Sequence, residues 1–165
     1  MNGRDENHEL DGYLTTRASL LTQTIEKISS FLEHDIPQVG RDWKSALVVA
    51  GLLENYYTSA ETALFRIAQQ TGIQINADRW QADLLARLSH AVEDVRPRVL
   101  GESTYKRLDE LRRFHHFKRY YFETDYDWDK LDFLLKNLNE LHPLLMHDIA
   151  SFQSFLRVLR KPGDE

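Results

Sequence analysis

The run DWKSALVVAGLLENYYTSAETALFRIAQQTG, residues 42–72, reads as one long amphipathic helix. Asp42 can cap its start, an apolar stripe runs through Leu47, Leu53, Tyr57, Ala60, Leu64 and Ile67, and Gly72 can end it. Towards the N-terminus, Leu14, Leu21, Ile25, Ile28 and Leu32 recur at helical spacing, which predicts a helix over about 12–34 that stops before Pro37. Towards the C-terminus a third helix is expected over about 77–95, through Trp80, Leu84, Leu85, Leu88 and Val92, closed by Pro97. Ser103 is placed as the N-cap of a fourth, carrying Leu108 and Leu111. A fifth is expected from Trp128 to about Leu141, where Pro143 breaks or kinks the chain before a last helix reaching Val158. With no strand alternation and no repeat, the expectation is an all-α, antiparallel bundle of about five to six helices.

Length and composition fit a single domain over 1–165, with a polar N-terminal tail about 1–11 and a C-terminal tail about 160–165. Without cysteine there can be no disulfide framework, thiolate metal site or cysteine nucleophile. The start, MNGRDENHELDG, lacks the apolar core of a signal peptide, and the run Ala46–Leu53 is too short to span a bilayer. A cytoplasmic protein with no membrane contact is expected.

A net charge of −5 argues against a chain coated with basic surface. The segment LRRFHHFKRYYF, residues 111–122, runs the other way. Between Ser103 and Phe122 six cations (Lys106, Arg107, Arg112, Arg113, Lys118, Arg119) face only Asp109 and Glu110, a local balance of +4 that leaves −9 on the remainder. Such a segment is a candidate anion or RNA contact. At about 100° per residue, Arg112, His115, His116 and Arg119 share one helical stripe that could hold a phosphate. The bland alternative is a basic face satisfied by carboxylates such as Asp109 and Glu110.

Four separated segments, LENYYTSAETALFRIAQQTG, INADRWQADLL, LDELRRFHHF and YDWDKLDFLL, resemble the HepT-like branch of the HEPN ribonucleases. These are toxins of toxin–antitoxin modules whose antitoxin is a minimal (MNT-type) nucleotidyltransferase. The resemblance implies an all-helical, HEPN-like homodimer with its site where equivalent helices of two subunits meet. It also implies metal-independent RNA cleavage by an Arg, four to six residues, then a His, often followed by x-Tyr. The chemistry needs a base near neutral pKa for the ribose 2′-OH and a fixed cation for the phosphorane charge. Relatives reading like LRRFRHVFRHAY place the signature Arg at His115, the His at Tyr120 and the Tyr at Phe122, so all three are replaced. No Arg in the chain is followed at that spacing by His.

Two functional readings follow. In one, a catalytically degenerate toxin homolog binds RNA or a partner protein, through Arg113, His115, Lys118, Tyr120 and Tyr121. In the other, a rearranged ribonuclease uses His116 as base with Arg112 and Arg119 as electrostatic stabilisers. The antitoxin of such modules can attach AMP to the signature tyrosine; Phe122 has no hydroxyl, which leaves Tyr120 or Tyr121 to substitute. No cofactor or metal is expected. DYDWDKLD lacks the glycine and glutamate of a calcium loop, and its aspartates suit a helix N-terminus. His34, His90, His142 and His147 are expected in surface or capping roles, and Tyr56, Tyr57, Trp80, Phe114 and Phe117 in the core. Glu61 either pairs with Arg112 or Arg113 or lies exposed.

Overall fold

Asp42 sets where the central helix begins. Its Oδ1 accepts from Ser45 N at 2.9 Å, while its own N–H donates to Ser45 Oγ at 3.0 Å, a reciprocal cap that satisfies two otherwise orphaned donors. In the computed structural model, which describes residues 3–75, 77–121 and 125–160, this helix, α3, spans Trp43–Gln70. The side chains of residues 4, 77, 119–121 and 160 lie outside that description. The other helices are α1 (Gly3–Ser30), α2 (Ile36–Val39), α4 (Trp80–Leu88), α5 (Glu102–Tyr121) and α6 (Trp128–Arg160). No β-strand occurs among the described residues, and none of their helices is long and apolar enough to cross a membrane.

Side-chain pairs fix the directions. Asp11 meets Arg157, and Thr22 meets His142, so α1 and α6 are antiparallel. Glu9 with Arg66 and Glu6 with Gln70 make α1 and α3 antiparallel. Gly101 with Asp148 and Arg107 with Asn137 do the same for α5 and α6. The result is an up-down bundle of α1, α3, α5 and α6, with α4 packed against α3 and α5. Its core holds Val49, Leu53, Tyr56, Tyr57, Leu64 and Ile67 of α3 against leucines from every other long helix.

Several sequence expectations are corrected. The first helix begins at Gly3, so residues expected as a polar tail are helical, and they bury Leu10 at 1% exposure. Nor does the helical path stop before Pro37. The turn Phe31–Asp35 widens to a π-helix, and Pro37 falls in the first turn of α2, where its missing N–H costs nothing. Gly40, at φ +78°, then ends the path.

The third helix stops at Leu88 rather than near Val95. Arg96 is buried there and donates to the carbonyls of Arg87 at 2.9 Å and His90 at 2.8 Å, taking acceptors that further helix would have used. Asp94 turns the chain at φ +58°, and Val92 is left exposed. α5 starts at Glu102, with Gly101 N–H donating to Asp148 at 2.8 Å, so Ser103 lies inside the first turn.

Pro143 does not divide the last helix. α6 is continuous over 33 residues, about 50 Å at 1.5 Å per residue. The proline faces solvent, while Leu138, Leu141, Leu145, Ile149, Phe152 and Leu156 continue one buried stripe on both sides. A lost backbone bond and ring clash cost about 3 kcal/mol. Burying each of those side chains returns roughly 1.5–3 kcal/mol, so packing wins.

Two polar contacts inside the bundle can be tested. Asp11, 7% exposed, accepts from Gln153 Nε2 at 2.8 Å and from Arg157 Nε at 2.9 Å. Asp11→Ala removes the carboxylate that holds Arg157 and one of three acceptors of the Gln153 amide, which keeps the Asp11 carbonyl and Thr15, so urea unfolding should show a loss of about 1 kcal/mol. His142, expected in a surface or capping role, is half-buried, with Nδ1 3.0 Å from the hydroxyl of fully buried Tyr56. Burial lowers its pKa below the usual 6.5. The unfolded chain therefore takes up a proton that the folded state resists, so this contribution is complete above pH 6.5 and is lost as pH falls below it. Unfolding curves from pH 7.5 to 5.5 should show a steeper loss in the native protein than in His142→Gln.

Candidate functional site

The basic stretch lies on α5, and its inward face meets a polar stripe on α3 made by Glu54, Tyr57 and Glu61. Spacings of three, four and seven put these three residues on one side of α3. Glu54 and Tyr57 meet Lys118 and His115 of α5, while Glu61 meets Gln81 of α4.

Lys118 forms an ion pair with Glu54. His115, whose side chain is 9% exposed, brings Nδ1 to 3.6 Å from the same carboxylate, too far for a hydrogen bond, and that nitrogen has no hydrogen-bond partner. Its ring packs on Tyr57 at 5.1 Å between centroids. The Tyr57 hydroxyl is buried without a hydrogen-bond partner, and burial, reinforced by the charge of Glu61, pushes it far above the usual phenol range. Glu61 is itself buried and accepts from Gln81 Nε2 of α4 at 2.8 Å. It is therefore neither exposed nor hydrogen-bonded to an α5 arginine.

Arg112 donates through Nε to Asp109 at 2.7 Å and is about one-fifth exposed. Arg113 is 65% exposed and pairs with Asp109 at 3.0 Å and with Glu110 at 3.6 Å. Lys106 pairs with Glu102, and Arg107 pairs with Glu140 of α6. Among the described side chains, every one of the five cations on α5 is thus matched by a carboxylate of the same chain. The +4 balance read from sequence is largely cancelled, because Glu54 and Glu140 come from other helices and Glu102 lies just outside the segment counted.

His116 is exposed, on the side of α5 away from Glu54. With Arg112 it lines a cavity of about 370 Å³ closed by Asp78, Arg79, Trp80 and Gln81 at the start of α4. The stripe Arg112, His115, His116 and Arg119 is therefore divided: His115 is walled in by α3, while Arg112 and His116 share an open cavity. The side chains of Arg119, Tyr120 and Tyr121, and the whole of Phe122, lie outside the described residues. Of the expected core aromatics, Tyr56, Tyr57 and Phe114 are buried, Trp80 is half-buried and Phe117 is exposed.

Sequence reasoning missed Glu54 as the carboxylate that holds Lys118. The signal was present, since Glu54 precedes Tyr57 and Glu61 by three and seven residues on the same stripe. The role of Arg79 in the cavity had no sequence signal, because the path of the connection before α4 decides which side chains reach α5.

A family model described as a HepT-like protein matches residues 48–156, from the first turns of α3 to near the end of α6. Neither the curated proteins nor the solved structures yield a match. The matched span covers well over half of the sequence and contains both helices of the polar seam, and the chain belongs to the HepT-like family of HEPN proteins.

Proposed function

We propose that this chain is a catalytically degenerate HepT-like protein that works by binding a protein partner in a toxin–antitoxin type setting. The partner is a second copy of the chain or a minimal nucleotidyltransferase antitoxin. The observation that carries this reading is the pairing of the five described α5 cations with carboxylates of the same chain. RNA affinity rests on free cations that displace counterions from phosphates. Pairing with Glu54, Asp109, Glu110, Glu102 and Glu140 reduces the net charge that α5 offers to a phosphate backbone. The replacement of the signature Arg by His115, now buried against Tyr57, supports the same reading.

One observation favours the alternative of an active endoribonuclease: Arg112 and His116 line the same cavity. There His116 would take the 2′-OH proton and Arg112 would hold the developing charge.

One experiment separates the two. Purified protein, shown to be folded, is incubated with total cellular RNA in EDTA beside Arg112→Ala and His116→Ala, and its oligomeric state is measured by light scattering. The expected result is a dimer, or a complex with a co-expressed minimal nucleotidyltransferase, and no cleavage. Cleavage by the native protein that both variants lose would establish the rearranged active site instead.

A further inference from the structure

The connection from α4 to α5 holds a charge that neither functional reading uses. Arg96 is 4% exposed and lies on a short turn closed by two backbone hydrogen bonds between Val92 and Arg96, both 3.0 Å. Its Nη1 donates to the carbonyls of His90 at 2.8 Å and Pro97 at 3.0 Å, and its Nη2 to that of Arg87 at 2.9 Å. Nε is buried and has no hydrogen-bond partner. Arg96 pairs with no carboxylate among the described residues, and burial alone lowers its pKa from the usual guanidinium value. A buried cation without a counter-charge is costly, which makes an anion its natural complement.

Arg96 lines an open cavity of about 570 Å³, a size common among small-ligand sites, between the end of α3, the last turns of α4 and this turn. Asp83 and Arg87, also on the wall, pair with each other at 2.8 Å, so with neutral His90 the lining carries the single positive charge of Arg96. The C-termini of α3 and α4 lie beside the cavity, and open carbonyls there would repel an anion. They are capped from within the chain: the N–H groups of Thr71, Gly72 and Ile73 donate to Ile67, Gln69 and Ala68, and Arg96 itself takes the carbonyl of Arg87. Glu93 and Asp94, at the tip of the turn, are exposed and not part of the lining. The rest of the wall is apolar where it is open, with Val92 and Val95 at 40% and 51% exposure and Ile73 opposite the turn. We infer that this cavity binds a carboxylate carried on a small branched apolar group, the carboxylate drawn to Arg96 and the apolar group covering Val92, Val95 and Ile73. One carboxylate matches the single charge, and an apolar wall disfavours a heavily hydrated phosphate. A free acid and the C-terminus of a polypeptide present the same chemistry. The site is separate from the cavity of Arg112 and His116 and stands whether the protein binds a partner or cuts RNA.

Titration of the isotope-labelled full chain, followed by amide resonances, tests it with isovalerate, its neutral isostere isovaleramide, acetate and inorganic phosphate. Isovalerate should saturate shifts of residues 71–74 and 92–96, which line the cavity. Isovaleramide should bind at least about ten-fold more weakly, as expected when a charge-assisted contact is lost. Acetate and phosphate, which lack the apolar group, should give no saturable shift there. Val95→Asp, at an exposed position, should keep native circular dichroism and abolish isovalerate binding by placing a like charge on the wall. An N-acetylated peptide ending in leucine, run with a free carboxylate and as its amide, identifies the source of the group. Tighter binding of the free-carboxylate peptide than of isovalerate assigns the site to a polypeptide C-terminus, and weaker binding assigns it to a free acid. The proposal is overturned by absence of isovalerate binding at millimolar concentration, by equal binding of isovalerate and isovaleramide, or by equal binding in native protein and Val95→Asp.

Discussion

The apolar stripe of α3 is the constraint on which the rest of the molecule depends. Every other long helix packs against it, and Leu53, Tyr56, Tyr57, Leu64 and Ile67 are all at 1% exposure or less. At roughly 1.5–3 kcal/mol for each large apolar side chain buried, this seam supplies a driving force that local preferences cannot resist. It explains why α6 runs through Pro143. It also explains why the polar start of α1 is drawn into helix, where Leu10 and Asp11 find places in the bundle.

Polar contacts then set register rather than supply the bulk of stability. The Asp11 clasp with Gln153 and Arg157 and the Tyr56–His142 contact lie at different heights of the bundle. A slip of one turn would leave buried polar groups unpaired in each, which costs more than the net gain from making them. Asp148 at Gly101 and Asn137 at Arg107 align α5 on α6 in the same way. The position of α5 is what brings Arg112 and His116 opposite the start of α4.

On α5 the same helix serves the core and a charged seam. Leu108, Leu111 and Phe114 are buried, and the intervening positions carry cations that meet Glu54, Asp109 and Glu140. A segment that looks like a basic tract in one dimension is therefore close to electrically balanced in three. Arg112 and His116 face the start of α4, where Arg79 adds a guanidinium from a different part of the chain.

The sequence by itself determined the all-helical class, the start and end of α3, and the family. Each is written in short-range information: the Asp42 and Ser45 cap, the glycine after the last turn, a three-and-four spacing of apolar residues, and residue identities at fixed offsets. Tertiary structure alone decided that Pro143 lies inside a helix, that α4 ends at Leu88, that His115 is buried while His116 is open, and which carboxylates neutralise α5. These outcomes turn on contacts between residues far apart in the chain, such as Glu54 with Lys118 and Gly101 with Asp148. The spacing of residues within a helix gives its faces, and only the packing of neighbouring helices determines which face is covered and by what charge.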